Sequence, residues 1–306
     1  MRRRRTLHRH RVRRVLLRAL RRSFPHLGRF IPALSACLAE ALFRTPPRHS
    51  RLRREESALE EVRFSRMPFG TAWLATWRWG SGPAVLLAHG WGGHGGRLTP
   101  FVGPLTEAGF SVIAFDAPGH GASPGRQSSL PEFVEAICAI ARTYGLLEAA
   151  IGHSLGAAAC ALAARNGIPI PRVVLLSAPH DLEKYSGRFA RFYRMPVATR
   201  DAMKRRLEQR YRLQWPDLKV AGGECRAQLL VFHDRGDGKV PFRDGLEIVR
   251  TWPNADLVRT RGLGHHRILR DPKVIARAVA FVGGTALAAG VRRRPALPLR
   301  SAPLTA

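Results

Sequence analysis

From Glu61 onward, short apolar runs of strand character alternate with longer stretches of helical period. The strand-like runs are Glu61–Ser65, Ala72–Trp79, Ala84–His89, Ser111–Asp116, Ala149–Gly152, Val173–Ser177, Leu229–His233 and Asp256–Thr260. Only a short glycine turn separates the first two, which predicts an antiparallel hairpin. After Ala84 the strands are uniformly apolar and interleave with helical stretches at Arg97–Ala108, Leu130–Tyr144, Leu155–Arg165, Phe242–Arg250 and Pro272–Phe281. Strands apolar on both faces need helices on both sides, so the expectation is an α/β fold with a mostly parallel eight-stranded sheet. In such a sheet the loops at the strands' carboxyl ends gather the active site.

Three segments depart from this rhythm. His180 to Glu224 lacks a convincing strand and reads as two or three short helices, a small helical lid inserted between the sixth and seventh strands at about 181–225. Met1 to Phe24 interleaves arginines with Val12, Val15, Leu16, Leu20 and Phe24, so a helix there would carry an apolar stripe between basic flanks, suited to a membrane surface. The next run, Phe30 to Phe43, contains Pro32 and Glu40 and is too short to span a bilayer. The resulting organisation is a basic arm over 1–55, disordered or surface-binding, an α/β domain over 56–283, and a disordered tail over 284–306.

Charge sharpens the view of the arm. Lys and Arg total 51 against 22 Asp and Glu, a formal net charge of +29, and residues 1–54 alone hold 17 Arg against the single acid Glu40. Such an excess attracts anionic lipid, nucleic acid or acidic partners without identifying which. No nucleic-acid motif accompanies it, so no specific nucleic acid is expected; an anionic membrane surface is the candidate partner of the arm, with a solvated, loosely ordered extension as the alternative. Arg21-Arg22-Ser23-Phe24 and Leu34-Ser35-Ala36-Cys37 are similar to export and lipidation signals, but Arg29 and Pro32 break the stretch between them. A cytoplasmic protein able to associate with membranes is expected. The four cysteines, Cys37, Cys138, Cys160 and Cys225, stand far apart and read as reduced thiols rather than metal ligands.

The chemistry concentrates at Gly152-His153-Ser154-Leu155-Gly156, which follows an apolar strand and opens a helix of small residues. In that context G-x-S-x-G forms a sharp turn that presents the serine, while the glycines let strand and helix approach. A serine hydroxyl needs a base within reach and a third group to orient the base. Both types occur downstream. Leu229–His233 runs into a loop with two acids, Asp234 and Asp237, and the strand ending at Thr260 runs into Gly264-His265-His266.

These features, with Ala84–Gly90 and Asp116-Ala117-Pro118-Gly119-His120-Gly121, resemble in order the α/β-hydrolase superfamily, in its lid-bearing esterase, lipase and serine-aminopeptidase-like branch. The resemblance covers roughly residues 60–283. It implies Ser154 as nucleophile, Asp237 rather than Asp234 as the acid, and His265 rather than His266 as the base. It also implies backbone oxyanion donors at Leu155 and Trp91, and bracing roles for His89 and His120. Asp116 is expected to shape the turn after the fourth strand, with substitution as triad acid the alternative.

The functional expectation is a serine hydrolase that cleaves small-molecule carboxylic esters through an acyl-enzyme and needs no metal or organic cofactor. A thioesterase or small-peptide hydrolase is the alternative within the fold. A non-catalytic basic protein binding lipid or nucleic acid on a hydrolase scaffold is the alternative from another class. Acyl-chain length and oligomeric state are not legible in the sequence.

Overall fold

The structure, a computed structural model, describes residues 17–47, 59 and 62–284. The first sixteen residues, most of the 48–61 linker and the tail beyond Gly284 lie outside the described residues, and with them most of the expected disordered segments.

Eight strands make one sheet: β1 (Arg63–Phe69), β2 (Ala72–Trp79), β3 (Ala84–Ala88), β4 (Ser111–Phe115), β5 (Leu147–His153), β6 (Arg172–Leu176), β7 (Gln228–Asp234) and β8 (Ala255–Thr260). Their spatial order is β1-β2-β4-β3-β5-β6-β7-β8. β1 and β2 pair antiparallel, β2 meets β4 antiparallel, and every later pairing is parallel. The expected α/β architecture is therefore present.

Alternation along the central strands sends successive side chains to two helical layers. Leu86 and Ala88 of β3 join Ile113 and Phe115 of β4 in a core shared with the helices α4 (Leu130–Tyr144) and α5 (Leu155–Arg165). Val85 and Leu87 instead join Val112 and Ala114 in a second core. Leu105 of α3 (Val102–Glu107), and Val274 and Ala278 of the last helix, complete that layer. Each fully buried Leu or Phe in these layers contributes roughly 1.5–3 kcal/mol relative to exposure.

Two element boundaries differ from expectation. β1 continues past Ser65 to Phe69 and includes Pro68 opposite Trp73. As the edge strand it tolerates a residue with no N–H, provided that side of the backbone faces away from the ladder. The expected helix Arg97–Ala108 is split into a 3₁₀ stretch, Gly95–Phe101, followed by α3. Pro100 lies inside the first piece and Pro104 inside the second, and each removes an amide from the helical ladder.

Between β6 and β7 the chain forms α6 (Leu182–Tyr193), α7 (Val197–Tyr211) and a 3₁₀ turn at Trp215–Leu218. Asp181 caps α6 by accepting from the Glu183 amide at 3.0 Å. Short helices in the expected interval are thus present.

For the basic arm, expected to be disordered or surface-binding, the described part is ordered. Residues 17–30 are helical (α1), and Pro32–Phe43 form a second helix (α2). On α2 the buried positions are Ser35, Ala36, Ala39 and Glu40, one narrow face of mostly small residues that allows a close approach to α7. The Ser35 and Thr199 hydroxyls lie 3.1 Å apart across that contact. Phe24 packs edge-on to Tyr193, and Phe43 edge-on to Phe189 and Trp215. Glu40 receives Nε of Arg206 at 2.7 Å and Nε of Arg210 at 2.6 Å. Burial on its own would raise the Glu40 carboxyl; the hydrogen bonds from Arg210 and Arg206 override it and hold the group below its ordinary value. Two arginines of the insertion therefore anchor α2.

Candidate active site

Ser154 sits between β5 and α5 with φ 52 and ψ −119, a conformation that residues with a Cβ rarely adopt. The strain is held by the surroundings. The Ser154 amide donates to the Leu176 carbonyl at 2.9 Å. A Cβ on Gly152 would lie 2.4 Å from Ala157 Cα, and one on Gly156 2.3 Å from the His89 carbonyl oxygen. Only glycine at both positions lets α5 pack this close to the strands. Leu155 is the first residue of α5, so its amide has no intrahelical acceptor and points out of the helix N-terminus.

β7 and β8 deliver the other groups. After β7, Asp237 accepts the Lys239 and Val240 amides on Oδ1 at 2.8 and 2.9 Å, and Nδ1 of His265 donates to its Oδ2 at 2.8 Å. Burial raises the Asp237 carboxyl, but the hydrogen bonds from His265 and from the two amides outweigh it and hold the group well below the usual carboxylate range. With Nδ1 as donor, the imidazole keeps Nε2 as an acceptor, the tautomer a general base requires.

Asp234 is occupied elsewhere. Its Oδ1 accepts from the Gly236 amide, and its Oδ2 accepts from the Thr260 hydroxyl at 2.9 Å and the Leu263 amide at 3.0 Å. It clamps the loop after β7 to the loop after β8, which is what brings Asp237 and His265 within reach. The structure thus pairs Asp237, not Asp234, with His265. His266 stacks edge-on against His265 with ring centroids 5.0 Å apart.

His265 is joined to the residue that precedes the serine. His153 Nε2 donates to the His265 carbonyl at 2.9 Å, and the two rings lie 4.7 Å apart. Burial, and then the neighbouring His265, push the His153 imidazole down to about 3, so it stays neutral beside the proposed base. The sequence offered no reason to single out His153 beyond its place in the G-x-S-x-G run.

The loop after β3 closes the opposite side. A Cβ on Gly90 would come within 3.0 Å of Ser154 Cβ, so the backbone leading into Trp91 passes directly beside the serine. His89 donates from Nδ1 to the Gly90 carbonyl and accepts the Ala117 amide on Nε2, bracing two loops at once. His120 donates to the Pro118 carbonyl. Asp116 accepts the Gly95 amide on Oδ1 and the Ala122 amide on Oδ2 and so shapes its turn.

Ser154, Leu155 and Trp91 lie together on a cavity of about 540 Å³. Its walls come from the insertion, through Phe189, Tyr193, Leu207 and Trp215, and from the amino-terminal segment, through Leu42, Phe43, Pro46 and Pro47. Those amino-terminal wall residues were not visible as site residues in the sequence. The apolar run ending at Phe43 was the available signal, and periodicity alone does not say what it packs against.

A family model described as serine aminopeptidase, S33, matches residues 82–277, well over half of the chain. The chain belongs to that family. Among curated relatives, a pimeloyl-[acyl-carrier protein] methyl ester esterase of Methylococcus capsulatus is 56% identical over 45 residues, 15% of this chain and 17% of the relative. A monoglyceride lipase homolog of monkeypox virus is 30% identical over 103 residues, 31% of this chain and 37% of the relative. The chain therefore spans well under half the length of these relatives. Among solved structures, an esterase of Pyrococcus furiosus superposes with a TM-score of 0.59 at 20% identity, covering 79% of this chain and 96% of that one, a likeness of fold. The S33 match begins after β2, so α1 and α2 lie outside it.

The titration behaviour of this S33 member predicts acid sensitivity with a definite sign. His153 and His120 are pushed down to about 3 by burial, whereas an unfolded imidazole titrates near ~6.5. Below about pH 6.5 the unfolded chain takes up protons that the native chain refuses, so stability falls as pH falls. Asp237 and Asp234, both depressed, add to the loss below about pH 4, as pH drops through the interval between their unfolded and folded values. The urea midpoint should decline steadily from about pH 7 to about pH 4.5, and less steeply in His153→Gln. A flat midpoint between about pH 7 and 5 would contradict the assignment of neutral buried imidazoles.

Proposed function

We propose that this protein is a serine hydrolase that cleaves carboxylic esters of apolar acyl groups through an acyl-enzyme on Ser154. The observation that carries this reading is the Asp237–His265 hydrogen bond at 2.8 Å, tied through His153 to a strained serine on an apolar cavity.

Ser154 Oγ attacks the ester carbonyl as His265 Nε2 removes its proton, and Asp237 stabilises the imidazolium and holds its orientation. The negative charge that develops on the carbonyl oxygen is met by the Leu155 amide at the helix N-terminus and by the Trp91 amide. His265 then delivers its proton to the departing alkoxide. Water, deprotonated by the same imidazole, releases the acid from Ser154 and restores the hydroxyl. The insertion, with α2 behind it, acts as a lid that covers the acyl group.

The wall of Phe43, Phe189, Leu207 and Trp215 favours an acyl chain over a free amino acid, whose ammonium group would need a carboxylate partner. Among the described lining residues the single acid is Glu208, which also borders a second pocket lined by Arg205 and Arg212. Rates on p-nitrophenyl esters from acetyl to octanoyl test this. Since burying each methylene is worth about 0.8 kcal/mol, kcat/KM should rise at least several-fold for every two methylenes added until the cavity is filled. A profile that falls with chain length, or faster cleavage of aminoacyl p-nitroanilides, would overturn the proposed substrate class.

A further inference from the structure

Among the described residues, eight large hydrophobic side chains are exposed, and five of them, Phe30, Ile31, Leu34, Phe192 and Val197, belong to two segments that touch. Phe30 is 71% exposed and Val197 66%. The segments are the elbow between α1 and α2 and the turn between α6 and α7. A Cβ on Gly28 would meet Pro196 at 2.7 Å and Thr199 at 2.8 Å, Ser35 meets Thr199, and the Arg21 guanidinium lies over the Phe192 ring at 5.6 Å. The apolar residues therefore share one side of the molecule.

Cations surround them. Arg22, Arg29, Arg191 and Arg194 are exposed, Arg29 lies over the Phe30 ring at 5.5 Å, and none of them pairs with a carboxylate among the described residues. The sequence contains no Asp or Glu from residue 17 to 39 or from 184 to 200, and eight more arginines occur within residues 1–16. Apolar side chains standing in a field of arginines match an interface whose outer layer is anionic and whose interior is hydrocarbon. A soluble partner that met only the charges would leave Phe30, Ile31 and Leu34 in water.

Phe192 is half-exposed in this patch and also lines the cavity that holds Ser154. The patch is thus continuous with the mouth of the proposed acyl site. We propose that this face, built from the α1–α2 elbow and the α6–α7 turn, docks the protein on an anionic lipid bilayer and opens the cavity towards it. The orientation rests on the reading of the cavity as an acyl site, whereas the docking itself is measured without hydrolysis.

The test uses the full chain and sedimented vesicles of phosphatidylcholine, alone or mixed with phosphatidylglycerol. Wild type should partition onto the mixed vesicles and keep part of that binding at roughly 0.5 M salt, where charge attraction is screened to about 4 Å. The variant Phe30→Ser/Ile31→Ser/Leu34→Ser retains every arginine and should bind about tenfold less at high salt. Its melting temperature and its p-nitrophenyl acetate hydrolysis should match wild type. Arg22→Glu/Arg29→Glu should lose binding chiefly at low salt.

Equal binding of the apolar variant and wild type at both salt concentrations would overturn the proposal, since arginines alone would then account for the attraction. So would a wild type that ignores the mixed vesicles, including one that is retained by an acidic acyl carrier protein instead. A wild type that binds vesicles as expected yet hydrolyses no ester would refute the proposed activity and leave the docking face standing.

Discussion

Replacing Ser154 by alanine should lower kcat for ester hydrolysis by roughly five to six orders of magnitude and abolish labelling by a fluorophosphonate probe. In the proposed acyl-enzyme the serine supplies the oxygen of the new ester bond, so no neighbouring hydroxyl can replace it without moving the elbow. Stability should not follow activity. Ser154 holds φ 52 at a position where the native packing imposes the strain, and alanine retains a Cβ and so retains that strain. Ser154→Gly removes it, and should raise the unfolding free energy by about 1 kcal/mol while leaving the enzyme equally inactive. Thermal melts and probe labelling of the three proteins together check both parts. Undiminished labelling of folded Ser154→Ala would refute Ser154 as the nucleophile. A less stable Ser154→Gly would refute the strain argument alone.

The second large effect separates the two aspartates. In Asp237→Asn, the amide oxygen is expected to remain on the Lys239 and Val240 amides, which donate to Oδ1 in the native loop. The new NH₂ then faces His265 Nδ1, which must turn from donor to acceptor. That places the imidazole proton on Nε2, where it can no longer accept from the serine, and kcat should fall by about 10⁴. Asp234→Asn perturbs a different set of bonds, because both of its oxygens accept from the Gly236 amide, the Thr260 hydroxyl and the Leu263 amide. An amide cannot accept at both ends. Stability should fall by about 1–3 kcal/mol, with kcat changed far less than in Asp237→Asn. Steady-state kinetics and urea unfolding on the pair distinguish the roles. If Asp234→Asn lost the larger share of kcat, the assignment of the acid would be reversed.

Local patterns were sufficient for the sheet, because a central strand such as Ala84–Ala88 is apolar at every position and a helix such as Leu130–Tyr144 carries its own signals, Ser129 before it and Gly145 after it. Local patterns were also sufficient for the elbow, since Gly152 and Gly156 are required by close contacts within a few residues and with the adjacent strand. They failed at the split helix near Pro100, where Pro100, Gly103 and Pro104 outweighed the apolar period. At Pro68 they failed for another reason, since an edge position is not visible locally.

Which acid faces His265 was open in the residues themselves, and only resemblance favoured Asp237. Asp234 and Asp237 stand three apart in one loop, and what separates them is the position of Thr260 and Leu263 on the next strand and loop. That is a long-range contact, set by β7 and β8 lying side by side. The amino-terminal helices are the larger case. Their arginines dominate composition and suggest a disordered or surface-binding arm, yet Ala36, Ala39 and Glu40 are buried against the insertion, and Phe43 reaches the cavity. By itself, the sequence determined the strands, the serine's turn and the list of groups able to act on it, because each depends on neighbours in the chain. The tertiary structure decided which carboxylate meets the imidazole and which segment walls the cavity, because those depend on packing between residues up to some 170 positions apart.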